Sequence, residues 1–193
     1  MEINKKFKIW EACADDKMRP TLNYIHFKDA HAYASDAHIL VKIPIKELLG
    51  LTAGEDYIPE ALEGHCISGN IWKKLAAQKA AQKGMMELYL PTEEGGAPSF
   101  RVHDEEGQDI IFHFAKKGMY TPPYYEGVLK RSTTAEAVTM IGLSEKMLSK
   151  LCQALGDTDV KMDFNGPLNA VLVFPKYYDE LTNAYGMIMP RML

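Results

Sequence analysis

The run Tyr185-Gly186-Met187-Ile188-Met189-Pro190-Arg191-Met192-Leu193 is apolar and strand-like, and no polar tail follows it. Side chains such as Met187, Ile188, Met189, Met192 and Leu193 are costly to leave in water, at about 25 cal/mol per Å² of apolar surface. The run therefore predicts a strand paired into a sheet or lining a groove rather than a frayed end. For Met187 and Ile188 taken alone, a closing core strand accounts for the pattern.

Upstream of this run the order is strand, helix, strand, strand. Val138-Thr139-Met140-Ile141-Gly142 reads as a strand, and Ser144 takes the N-cap position of a helix reaching about Leu155. Met147, Leu148, Leu151, Cys152 and Leu155 fall at helical spacing on one face, with Lys146, Ser149, Lys150 and Gln153 on the other. Val160 to Phe164 and Leu168 to Phe174 are the next strands, joined by the turn formers Asn165-Gly166-Pro167.

The same order recurs earlier in the chain. His65 to Ser68 leads into a helix from about Asn70 to Lys83, with Ile71, Trp72, Leu75 and Ala76 as its apolar stripe and Lys73, Lys74, Gln78 and Gln82 on its polar face. Strands are expected at Met86 to Leu90, Ser99 to His103 and Asp109 to Ala115, with an exposed hairpin at Glu93-Glu94-Gly95-Gly96. The first copy is the least regular. Lys6 to Ala12 reads as its leading strand, and Asp15 to Pro20 is too short and polar for a full helix. Thr21 to Phe27 and His31 to Ser35 flank a turn at Lys28-Asp29-Ala30, and Ile39 to Ile43 makes a third strand. The whole reads as an α+β chain of about three strand-helix-strands units.

Composition limits the function classes. With 193 residues, 47% hydrophobic and 25% charged, the chain can bury a substantial core. It has no apolar stretch long enough for a bilayer, and Met1 to Lys6 lack the apolar segment of a signal peptide, so a cytoplasmic location and no membrane partner are expected. Cys13, Cys66 and Cys152 are odd in number and lack metal-ligand spacing, which suits reduced buried thiols. A net charge of -4 argues against a wholly basic nucleic-acid binder and leaves a local basic face open.

Four colinear segments carry a family resemblance. Arg19-Pro20-Thr21-Leu22-Asn23-Tyr24-Ile25-His26-Phe27, then Ala34-Ser35-Asp36-Ala37-His38-Ile39-Leu40-Val41 and Pro44-Ile45, resemble the middle domain of the bacterial DNA sliding clamp, the beta subunit of the replicative DNA polymerase. Gly118 to Leu129, with Pro122-Pro123-Tyr124-Tyr125, resembles a Gly-x-Phe-Pro-Asp-Tyr segment of that family. Ile141 to Leu155 is similar to the strand and helix of its last domain, and Ala184 to Leu193 to its C-terminal ending. The resemblance implies a DNA-clamp fold with antiparallel sheets outside and helices on one face. It divides the chain into a clamp-like domain over residues 1–130 and half of a last domain over residues 131–193. The family closes its ring from twelve such units, so four copies of a three-unit chain would supply the number.

That likeness also implies function: a non-enzymatic processivity factor of DNA replication, with double-stranded DNA, clamp-binding-motif peptides of polymerase or repair proteins, and further copies of itself as partners. Lysines on inner helices would face phosphates without reading bases; Lys73, Lys74, Lys83, Lys146 and Lys150 are the candidates. Ordinary solvated helix faces explain the same charges. By matching position, the partner-peptide groove is carried onto Leu22, Ser35, Ala37, His38, Ile39, Leu40, Ser144, Met147, Met187, Ile188, Met189, Pro190 and Arg191. Methionines suit such a groove because they repack around different ligands, although Leu22, Leu40 and Met147 also read as core. Ala37 stands where the family has glycine and Ile39 where it has arginine, which is expected to make the rim more apolar. The alternative function is a clamp-fold peptide-binding adaptor or decoy that encircles no DNA.

Other chemistry has little support. His26, His31 and His38 with Asp29 and Asp36 are the only metal-like grouping, and they read better as surface or groove polar residues. There is no Gly-rich phosphate loop, nucleophile elbow or paired-cysteine motif, so no catalytic residue, metal or cofactor is assigned. Lys116, Lys117, Tyr120, Tyr124 and Tyr125 are a candidate surface for single-stranded nucleic acid; the resemblance reads them instead as packing between units.

Overall fold

The computed structural model describes residues 1–91, 96–103, 106–123, 125, 140–164, 166, 169–176 and 184–191. The expected 93–96 hairpin, the leading strand at Val138 and Thr139, the turn at Asn165-Gly166-Pro167, the matches at Tyr124, Val128 and Leu129, and Met192 and Leu193 lie wholly or mostly outside them. So does the division at residues 130 and 131.

The turn Lys28-Asp29-Ala30 starts the main sheet. Asp29 and Ala30 have φ of 49° and 59°, the paired left-handed conformation whose twist matches that of flanking strands. It joins β1 (Tyr24–Lys28) to β2 (His31–Ser35), which pairs in turn with β3 (Ile39–Pro44). Two short helices follow, α1 (Ile45–Leu48) and α2 (Ile58–Leu62). Next come β4 (Cys66–Ser68) and α3 (Gly69–Ala76). A second sheet holds β5 (Met86–Tyr89), β6 (Ser99–His103) and β7 (Asp109–His113) in that order. The last elements are α4 (Glu145–Leu155), β8 (Val160–Asp163), β9 (Val171–Pro175) and β10 (Tyr185–Ile188).

The seven-stranded sheet runs β4-β1-β2-β3-β10-β9-β8, every neighbour antiparallel. β10 is thus an interior strand, with Met187 opposite Leu40 of β3 and Leu172 of β9. Of the apolar terminal run, Tyr185–Ile188 form a strand as expected while Met189 to Arg191 continue past its end, and the strand's pairing with β3 ties the end of the described chain to its first hairpin. A bridge between Cys66 and Ala115 links the two sheets.

Both long helices cover the same face. α4 buries Leu151, Ala154 and Leu155 over β3 and β10. It comes so close that a Cβ on Gly186 would run into Leu151 Cδ1 and lie 2.7 Å from the Leu40 carbonyl oxygen. α3 inserts Trp72 against Phe27 and Phe100, with ring centroids 6.0 Å and 5.9 Å away. Between the helices sits a 3₁₀ turn, Ile9–Ala12, with Ile9 and Ala12 buried. The opposite face of the sheet carries a separate cluster of Tyr33, Leu40, Leu172, Met187 and Tyr125.

The structure corrects three local expectations. Lys6 to Ala12 is no strand: Lys8 N–H donates to the Gln153 carbonyl, so the segment packs onto α4 and never reaches the sheet edge. The helix expected to reach Lys83 stops at Ala76, and a 3₁₀ turn over Ala81–Lys83 follows before Gly84 adopts φ of 81°. Pro20–Asn23 is a 3₁₀ turn, so the first strand starts at Tyr24 rather than Thr21; proline suits the first position of such a turn because it has no N–H to leave unpaired.

Candidate docking strand and lysine-bearing helix face

The turn between β2 and β3 is built by side chains. Ser35 Oγ donates to the Ile39 carbonyl at 2.8 Å and accepts from Ala37 N–H at 3.1 Å. Asp36 Oδ1 accepts from the N–H groups of His38 and Ile39, both at 3.0 Å. These bonds hold Ala37 at φ of 76°, a conformation better suited to glycine. They leave the His38 side chain exposed and its carbonyl aimed at the terminal run, where Met189 N–H donates to it at 2.9 Å. Two residues on, Arg191 N–H donates to Gly142 at 2.8 Å. Ser144 then caps α4, accepting from Met147 N–H at 3.4 Å.

His38, Met189, Pro190, Arg191, Ser144 and Met147 are thereby strung along one backbone path, with Met189 41% exposed and His38 and Arg191 also open to solvent. Ala37 is exposed on the same turn beside His38, and the other candidates do not share that surface. Ile39 and Ile188 are 1% exposed in the core beneath α4. Ile39 therefore contributes no apolar rim, contrary to the expectation from its place in the sequence. Leu40 and Met187 point to the other face, as strand alternation requires. Leu22 is buried in the 3₁₀ turn before β1, and Ser35 is committed to the turn bonds just described.

Lys73 of α3 and Lys150 of α4 border one cavity of about 410 Å³, along with Trp10, Glu11, Cys13 and Asp36. Lys73 Nζ lies 3.9 Å from Glu11, and Lys150 Nζ lies 3.5 Å from Asp36. Burial, reinforced by Asp36 and Glu11, pushes the Cys13 thiol up to about 12, which keeps it protonated and unreactive. Asp16, on the same rim, sits below the usual carboxylate range because Arg19 and the Met18 N–H bind it. Lys74, Lys83 and Lys146 are exposed and do not line this cavity. Nothing in the linear sequence brings Glu11 and Asp36 to the lysines, since the contacts span four separate segments.

On the far face of the sheet, Tyr125 stacks on Tyr33 at 4.9 Å and 2°, and Tyr120 on Tyr24 at 4.2 Å. Thr21 Oγ donates to the Thr121 carbonyl at 2.7 Å, and His26 Nε2 lies 2.8 Å from the Thr21 carbonyl. Tyr120 and Tyr125 are therefore packing residues. His26 is buried, and desolvation holds its pKa below the ordinary value against the opposing pull of the Thr21 carbonyl. Among the described residues no cluster of three His, Cys, Asp or Glu side chains is placed to hold a metal. Among them, too, no helix is long and apolar enough to cross a membrane.

No family model matches the chain, and no curated protein sequence does. Solved structures do. The beta subunit from DNA polymerase of Streptococcus pyogenes aligns over 100% of this chain and 68% of its own, with 11% identity and a TM-score of 0.44. The H. pylori beta clamp aligns over 100% and 66%, with 12% identity and a TM-score of 0.47. The DNA polymerase sliding clamp from Pseudomonas aeruginosa aligns over 100% and 66%, with 11% identity and a TM-score of 0.40. Over its whole length, then, this chain is similar to bacterial DNA polymerase beta sliding clamps, of which it spans about two thirds.

Proposed function

We propose that this chain is a clamp-like processivity factor. Copies of it assemble around double-stranded DNA without reading sequence, and partner proteins dock a short apolar peptide along the exposed part of the C-terminal run. The observation that carries this reading is the layering: α3 and α4 lie on one face of a continuous antiparallel sheet, with the Ile9–Ala12 turn between them. A ring of such layers turns one helix-covered surface inward, where lysines such as Lys74 and Lys146 meet phosphates. His38, Met189, Pro190, Arg191 and Met147 supply an open, partly apolar path for the peptide.

A second reading, an adaptor that binds peptide and encloses no DNA, draws on a specific observation. Lys73 and Lys150 are within ion-pairing distance of Glu11 and Asp36, which reduces the positive field that the helix face offers to phosphates. Retention on circular duplex DNA separates the two. The processivity reading predicts protein that stays on nicked circles at moderate salt and is lost when the circles are linearised. Equal loss from both forms, with peptide binding intact, supports the adaptor and overturns encirclement.

A further inference from the structure

We infer that Asp36 is a latch between the lysine-bearing helix face and the β2–β3 turn, and that a phosphate polymer on that face opens the turn by drawing Lys150 away from Asp36. Its effect on partners rests on the docking path proposed above. One carboxylate serves both places. Asp36 Oδ1 accepts from the N–H groups of His38 and Ile39, both at 3.0 Å, while Asp36 Oδ2 lies 3.5 Å from Lys150 Nζ on α4. The first pair of bonds shapes the turn that carries His38, and the second contact reaches the helix face.

The turn depends on that cation. The Asp36 side chain is 9% exposed, and among the described residues Lys150 is its cationic partner. Nothing nearby replaces it: Glu11 and Asp15 line the same cavity, and the Cys13 thiol there stays neutral. A buried carboxylate that loses its counter-ion is strongly destabilised until it reaches water. Swinging Asp36 out to water breaks its bonds to the His38 and Ile39 N–H groups. Ala37, at φ of 76°, then loses the bonds that follow it and relaxes from a conformation better suited to glycine. The His38 carbonyl moves with the turn, and with it the contact to Met189 N–H that guides the docking path.

Lys150 is placed to be drawn away. Its 3.5 Å separation from Asp36 exceeds the roughly 2.8 Å of a tight charge-assisted bond, its side chain is 31% exposed, and it borders an open cavity. Lys146, exposed one turn earlier on α4, sets a like charge beside it. A phosphate bridging the two lysines relieves that repulsion and competes with Asp36 for Lys150. Lys73 has no comparable role. Its partner Glu11, 3.9 Å away and 29% exposed, accepts from the Trp10 indole and shapes no turn.

Amide hydrogen exchange of the full chain, read residue by residue with inorganic polyphosphate as the probe, tests the latch. Polyphosphate should speed exchange at the His38 and Ile39 amides about fivefold or more and leave the β6 amides unchanged. Lys150→Met should give fast exchange at those two amides without polyphosphate and no further response to it. Asp36→Asn keeps an acceptor oxygen and needs no counter-ion, so its turn should stay protected and ignore polyphosphate. The affinity of a clamp-motif peptide should fall about fivefold with polyphosphate in the wild type and stay level in Asp36→Asn. A wild-type turn that polyphosphate leaves protected, full protection in Lys150→Met, or an Asp36→Asn response equal to the wild type overturns the inference. An exchange response in a chain that binds no peptide keeps the latch and removes the docking reading. Peptide binding without an exchange response does the reverse. A duplex oligonucleotide that reproduces the response identifies the phosphates as those of DNA, and a response to polyphosphate alone identifies a free phosphate chain; the latch stands in both.

Discussion

Gly186 shows how one residue can set the distance between layers. With its Cβ position already taken by Leu151 and by the rigid Leu40 carbonyl, Gly186→Ala must push α4 off the sheet. The expected cost is about 1–3 kcal/mol, as for other overpacked core sites, and it is read as a lowered denaturation midpoint at unchanged slope. An unchanged midpoint would show that α4 rides higher than described. Met187 and Met189 part company at the same scale. Both are methionines of one apolar run, but Met187 is 2% exposed and Met189 41%. Met189→Asp should leave stability nearly unchanged and abolish binding of a clamp-motif peptide. Met187→Asp should cost about 3 kcal/mol or more by burying a charge, so a loss of binding there says nothing about docking. Peptide affinity unchanged by Met189→Asp contradicts the docking path. The sequence run alone could not separate the two residues, because the separation depends on where β10 stops pairing.

The elements that sequence made legible are those with a complete local signal. The Ser144 cap and the helical spacing from Met147 to Leu155 predict α4 within a residue of its limits, and the alternation from His31 to Ser35 predicts β2 without error. The Lys6 to Ala12 segment failed because its apolar residues answer to α3 and α4, a tertiary demand that no local periodicity records. The candidate site was legible as a neighbourhood only. The terminal run, the His38 turn and the start of α4 do converge, yet the sheet sends Ile39 and Ile188 to one face and Leu40 and Met187 to the other. The desolvated histidines add a pH dependence. His26, beside Thr21, is held neutral by desolvation, and His31 and His65 are likewise shifted down chiefly by burial. Their folded-state values lie below the unfolded value of about 6.5, so the unfolded chain binds more protons as pH falls. Stability is therefore full above about pH 6.5 and declines through the acid side, well before carboxylates titrate. Melting temperatures should hold level from pH 8 to about pH 6.5 and fall from there to pH 5, and a flat or rising profile below pH 6.5 contradicts the assignment of desolvated histidines.

At the scale of the whole molecule, the chain is a continuous seven-stranded sheet with both long helices on one side and a smaller sheet bridged to it. Such a layer closes into a ring only if enough copies follow one another. The proposed function as a processivity factor therefore rests on assembly more than on any single side chain, and neither the net charge of -4 nor the lysine count decides it. The most direct measurement is the solution molar mass by light scattering across a concentration series. The processivity reading predicts an assembly that reaches four copies, enough units for a closed ring. A strict monomer at every concentration contradicts it, and leaves the peptide path along Met189 as the molecule's remaining proposed activity.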